Sequence, residues 1–348
     1  MSEAQYKTEA QLRELGNKVV QAAIDAAKKH RGGAMDRGIP AAPTVNPSDQ
    51  GQPVPDLDAL ARALSDVPDR FASFAGPTAS FSLPLGELAA VRQSLTGSIK
   101  EGNENSGTTT HALDQKIVEE GGVPTAGFPP PYPAISDNNA DVVSALTGWA
   151  GHAAVQFTKY MKHCDDAVAR QTDVARLLAA GLCAHRDLIA ASSKAVTQIA
   201  TETINVLDAG GSGECGPSGK VALTIVSDLA WLGAAATSEA PPVAFAMTFL
   251  AVASNRLTTV MKDVNHVVIS GHTVLSIVDS MRAALGDVVH GITKAQDALA
   301  EGLYEAGLRI SDEYNKHQLA PARLGELIDL PHHSLRDVKD NFYMLADP

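Results

Sequence analysis

Apolar residues in the second half of the chain recur at alternating steps of four and three. From Phe157 the series runs through Met161, Cys164, Val168, Gln171, Ala175, Leu178, Leu182, His185, Ile189, Ser192, Val196, Ile199, Thr203 and Val206, and eleven of these fifteen are apolar. That alternation is a heptad seam, the stripe a long helix presents to a partner helix. A second series runs from Leu257 through Val260, Val264, Val267, Gly271, Val274, Val278, Met281, Leu285, Val288, Ile292, Ala295 and Leu299 to Gly302, and every member is apolar or glycine. Neither helix could bury its stripe alone. Joined by a connection that can reverse direction, the two predict an all-α, elongated helical bundle built on two long antiparallel helices with heptad seams.

Shorter patterns flank this pair. Leu12, Leu15, Val19 and Ala23 share one face of an N-terminal helix over residues 1–31, which the run Lys28-Lys29-His30-Arg31 and then Gly32-Gly33 should end. Residues 32–55 read as a Pro/Gly-rich linker. Residues 56–100 form a helical segment, with Leu57, Leu60, Leu64 and Val67 in a first helix bent at Pro68 and a further helix from Pro84 to Lys100. Residues 101–135, rich in Gly, Asn, Thr and Pro, read as a disordered loop. Residues 136–320 hold the long-helix bundle, including a nearly uncharged connector at 221–253, and residues 321–348 hold short C-terminal helices.

Composition narrows the function. Aromatics are only 5% of 348 residues, which suits closely packed helices better than a sandwich or barrel. A net charge of −12 argues against nucleic acid as a partner, because that needs a basic footprint. Three cysteines without a CxxC pair give no disulfide framework; Cys164 and Cys183 fit a helix core, and Cys215 lies in a glycine loop as a candidate free thiol. The first residues lack the apolar stretch of a secretory signal, so any export is expected to use a different route.

No enzyme signature stands out, and neither a cofactor nor a metal is expected. The stretch from Gly213 to Val221 looks like a phosphate-binding loop but has Glu214 at the first glycine position and Val221 in place of Ser/Thr. His163 with Asp165 and Asp166 reads as a solvated helix face before it reads as a metal site. His185 occupies a seam position; buried there it would need a polar partner, and its protonation would weaken packing at low pH.

The motif that stands out is Thr147-Gly148-Trp149-Ala150-Gly151-His152-Ala153-Ala154-Val155-Gln156-Phe157, which opens the first seam. Here a Trp-x-Gly turn precedes two alanines that let a neighbouring helix close in. Trp231-Leu232-Gly233, followed by Ala234-Ala235, is a second such triplet. At the other end of the sequence, Tyr343 and Asp347 stand four apart and so share a helix face.

These features resemble the WxG family of type VII (ESX) secretion substrates, closest to its longer helical members, over residues 56–207 and the C-terminal tail. The resemblance implies a non-enzymatic protein, secreted or held in the cell envelope, that acts by protein–protein contact or oligomeric assembly. Trp149, Gly151, Tyr343 and Asp347 would form its export signal, read by the secretion machinery or by a helical partner protein. The family carries a long helix before its turn; here only Asp137 to Thr147 intervenes, so the helix from Pro84 to Lys100 would supply that arm.

The connector offers a different reading. Two apolar segments at the tip of a helical pair resemble the membrane-inserting head of α-helical pore-forming toxins, with Ile225, Leu229, Trp231, Leu232, Phe245, Phe249 and Leu250 as the inserting residues. Each segment is shorter than the ~20 residues of a spanning helix, and Asp228 interrupts the first. A third reading is an intracellular, cytoplasmic helical scaffold.

Overall fold

The computed structural model describes residues 7–36, 57–75, 135–209, 218–222, 245–260 and 266–316, with single positions at Leu88, Val91, Leu229 and Leu232. Of these residues, 87% are helical, and one two-stranded sheet supplies the remaining regular structure among them. The loop expected at 101–135, most of the Pro84–Lys100 helix and the C-terminal helices of 321–348 lie outside the described residues.

Helix α1 spans Glu9–Asp36. It opens on a reciprocal cap, in which the Thr8 N–H donates to Gln11 Oε1 at 2.9 Å and the Gln11 N–H donates to Thr8 Oγ1 at 3.3 Å. Leu12, Val19 and Ala23 are fully buried, as the stripe requires, and Leu15 packs beside them. The expected stop at Gly32-Gly33 does not occur, and the helix continues to Asp36. Glycine ends a helix by adopting a positive φ, and among the described glycines only Gly148 and Gly151 do so.

The bend expected at Pro68 is a break between α2, Leu57–Ala63, and α3, Val67–Ala72, with the proline in the first turn of α3, where its missing N–H costs nothing. Helix α1 lies close against α3 because Gly16 has no side chain: a Cβ there would stand 2.6 Å from Pro68 Cα. Gly16→Ala should therefore destabilise the protein by about 1–3 kcal/mol in denaturant unfolding, although alanine is the better helix former. A neutral or stabilising result would mean that the two helices separate at no cost.

Arg282 ties this corner to the rest of the core. Its guanidinium donates to the Ala63 carbonyl and to Asp66 Oδ1, both at 2.6 Å, and to Asp279 at 3.0 Å. Burial alone would raise the Asp66 carboxyl, but hydrogen bonds from Arg70 and Arg282, with their charges, hold it below its ordinary 3.8. A depressed carboxylate contributes stability above its unfolded pKa and loses it as pH falls through the folded one. The advantage of the parent over Asp66→Asn should accordingly be complete at neutral pH and shrink below about pH 4. Paired thermal melts check this; an advantage that grows on acidification would contradict it.

The first heptad series is one continuous helix. Helix α5 spans His152–Ala209, 58 residues and roughly 87 Å, and α4, Ile135–Ala145, precedes it. Val168, Ala175, Val196, Ile199, Thr203 and Val206 are buried as the seam predicts. Gln171, Leu178 and His185 are not, and all three are exposed. In that stretch the buried positions are Leu177, Ala180, Ala184 and Leu188, because α5 is packed by several elements around it rather than by one partner along a single stripe. The exposure of His185 removes the buried-histidine expectation and the low-pH weakening that depended on it.

The second series is not one helix. It divides into α6, Phe245–Val260, strand β2, His266–Ser270, and α7, Val274–Asn315. Strand β1, Ser218–Ala222, pairs antiparallel with β2, with Ser218 opposite Ser270 and Ala222 opposite His266. Val267 and Ile269 are buried while Val268 between them is 47% exposed, the two-residue alternation of a half-buried strand. A run of β-branched residues here overrides the seven-residue repeat. Thr273 then caps α7, its hydroxyl accepting the Ser276 N–H at 3.1 Å.

Helix α5 packs against α1, α6, α7 and both strands. Along its contact with α7, Arg170 pairs with Glu313 at 3.1 Å and Gly181 faces the Leu303 side chain. Between α6 and α7, Gly302 allows close approach, since a Cβ there would meet Phe249 at 2.9 Å. Asp173, buried within α5, accepts a hydrogen bond from the Phe245 N–H at the start of α6.

Candidate functional site

The chain reverses between α4 and α5 at Trp149. The Thr147 hydroxyl donates to the Ser144 carbonyl at 2.5 Å and the Trp149 N–H donates to the Leu146 carbonyl at 2.9 Å, closing the end of α4. Gly148 and Gly151 flank the tryptophan at φ +99° and +100°, backbone that side-chain-bearing residues rarely adopt. A Cβ at either glycine would meet nothing within 4 Å, so backbone conformation rather than space requires glycine there. The Gly151 carbonyl then accepts the Val155 N–H at 3.2 Å and starts α5.

Trp149 is half-buried and tilts against Phe157, with ring centroids 5.7 Å apart. Phe157 is followed by Tyr160 at 6.1 Å. The Tyr160 hydroxyl is held above its ordinary pKa, first by its hydrogen bond with Cys164. Beyond the turn, α4 packs back on α5, and Asn139 Nδ2 donates to Asp165 Oδ1 at 2.8 Å. Among the described residues, α4 is an element beside the Trp149 end of α5; the Pro84–Lys100 helix expected as the arm lies almost wholly outside them. The site is a helical hairpin bearing a half-buried aromatic plate at its bend, a shape suited to recognition by another protein.

The sequence singled out Trp149 and Gly151, and both sit in this turn. The positive φ of Gly148 and the clasp between Asn139 and Asp165 were not anticipated. The glycine directly before the tryptophan was a usable signal for the first; nothing in the sequence pairs the second. Tyr343 and Asp347 lie outside the described residues, as do Cys215, Ile225 and Trp231.

The proposed inserting residues that can be placed are core residues. Leu229, Leu232, Phe245, Phe249 and Leu250 are each no more than 2% exposed. Insertion would require them to leave the core. Among the described residues, no helix is long and apolar enough to cross a membrane.

His163, Asp165 and Asp166 are exposed, and no group of three metal-binding side chains occurs among the described residues. The end of the phosphate-loop lookalike, Ser218 to Val221, lies in strand β1, where a phosphate loop would open a helix. Cys183 is buried and Cys164 half-buried. No family model, no curated protein and no solved structure matches the chain.

Proposed function

We propose that this protein is a non-enzymatic substrate of a type VII-like secretion system, exported to the cell envelope or beyond, where it acts by protein–protein contact or assembly. One observation carries the reading: Trp149 stands at the bend of a helical hairpin, between two left-handed glycines, half-buried with part of its ring left to a reader. A tryptophan required only for packing would gain most from full burial.

In this reading the secretion machinery or a helical partner binds the Trp149–Gly151 turn, and Tyr343 with Asp347 completes the signal. The long helices α5 and α7 serve as an antiparallel frame. The Arg170–Glu313 and Gly181–Leu303 contacts support that direction, because later positions of α5 meet earlier positions of α7.

The test is export itself. Tagged protein expressed in a host with a type VII system should reach the culture filtrate or envelope fraction, and retention should follow when the ATPase of that system is inactivated. Export that persists without the ATPase, or no export in either strain, would contradict the proposal.

A further inference from the structure

Helix α4 is held by little. It has 11 residues, a length at which an isolated helix is marginal in water. Its only substantial neighbour among the described elements is α5. Of its described side chains, Asn139 alone is not exposed. Ile135 and Val142, seven apart and so on one face, are 45% and 41% exposed, and Val143 beside them is 43%. Just past the turn, Val155 on α5 is 54% exposed. None of the four joins the hydrophobic core or packs against it. An apolar face of this kind on so short a helix calls for a second partner.

The end of α7 fixes where the rest of the chain emerges. Glu313 in its last turn pairs with Arg170, so Lys316 leaves α7 at the base of the hairpin, where α5 runs on past α7 toward Trp149. From Arg170 to His152 along α5 is roughly 27 Å. Residues 317–348 follow, outside the described residues. Within them Leu335, Val338, Phe342 and Leu345 step by three, four and three, the stripe of an amphipathic helix over 334–345. Arg336, Asp337, Lys339 and Asp340 take positions between. The linking stretch 317–333 reaches up to about 56 Å when extended, twice what the hairpin requires.

We propose that the chain's own C-terminal segment docks on this face, with a helix over residues 334–345 seating Leu335, Val338, Phe342 and Leu345 on Ile135, Val142 and Val143 of α4. The covalent link supplies this occupant at an effective concentration on the order of millimolar, which no separate partner matches by default. A second copy is disfavoured because two chains of net charge −12 repel. The other apolar stretch outside the described residues, Pro84–Lys100, is engaged elsewhere: its Leu88 packs against the core to which the hairpin valines do not belong. Residues 101–134, which lead into α4, are rich in Gly, Asn, Thr and Pro and carry no comparable stripe.

The docked segment is a removable cover. In place, it gives α4 the apolar contact that α5 alone does not provide and steadies the hairpin. A binding partner that takes the Leu335–Leu345 stripe for itself frees α4 first, while the core around α6 and α7 stays closed. This inference does not depend on the export reading.

Hydrogen exchange on the full chain tests the contact from both sides. Phe342→Asp should speed exchange of the α4 amides about tenfold or more and leave those of α6 and α7 unchanged. Val142→Asp should in turn speed exchange of the amides of residues 334–345. Placement is read separately, with Phe342 replaced by the photoreactive benzoylphenylalanine. Irradiation should join it to residues 135–155 of the same chain, at a yield independent of protein concentration. Exchange of α4 indifferent to Phe342→Asp would overturn the proposal, as would cross-links to other parts of the chain. Covalent dimers whose yield rises with concentration would also overturn it, because the occupant would then be a second copy.

Discussion

Replacing Phe249 by alanine should cost about 3–5 kcal/mol in unfolding free energy, the range for deleting a buried phenyl ring from a core that cannot fully collapse. Phe249 is 0% exposed, lies in α6 and packs against Gly302 of α7. Its removal strips the contact for which that glycine is spared a side chain, so the cavity opens between two helices rather than at an edge. The same substitution separates two accounts of the connector. A residue kept for membrane insertion would be loosely held in the water-soluble form and its loss would cost little. Urea unfolding of Phe249→Ala decides this, with Val289→Ala on the exposed face of α7 as the comparison. A cost below about 1 kcal/mol would contradict the core assignment.

Asp173→Ala should cost about 2–3 kcal/mol, more than an ordinary helix-cap deletion. Asp173 is 6% exposed, and its carboxylate accepts the Phe245 N–H from a helix distant in sequence. A charged acceptor at a helix N-terminus satisfies a donor that has no partner within its own helix and also meets the positive end of the helix dipole. Without it, that donor stays buried and unpaired. Asp173→Asn keeps an acceptor without the charge and should lie between parent and alanine. Hydrogen exchange localises the effect: the first amides of α6 should lose protection before those of α5. Uniform loss across both helices would mean that Asp173 does not act as the cap.

The contrast between α5 and α7 explains what the sequence could reveal. The series from Phe157 to Val206 was legible because nothing interrupts it. The series from Leu257 to Gly302 has the same spacing, yet it crosses a strand, since Val267, Val268 and Ile269 fit a seven-residue repeat and a two-residue alternation equally well. Pairing with Ser218–Ala222 decides between them, and that partner is remote in sequence. Leu178 and His185 were misplaced because a heptad projected onto one helix assumes one partner, whereas α5 has several around it. At the candidate site, Trp149 and Gly151 were legible as residue types, and their placement in a half-exposed bend required the structure. Asp173 could not be found from sequence, because a mid-helix carboxylate looks like any solvated charge until its partner is known.

The most direct test of the central claim measures export and stability on the same protein, Trp149→Ala. Half-burial against Phe157 limits its structural share to about 1–2 kcal/mol. If Trp149 is read as a signal, the variant should remain folded, with helical circular dichroism and a cooperative melt, while its export falls at least about tenfold below the parent. A folded Trp149→Ala protein exported as well as the parent would contradict the claim and leave the tryptophan as a packing residue of the hairpin.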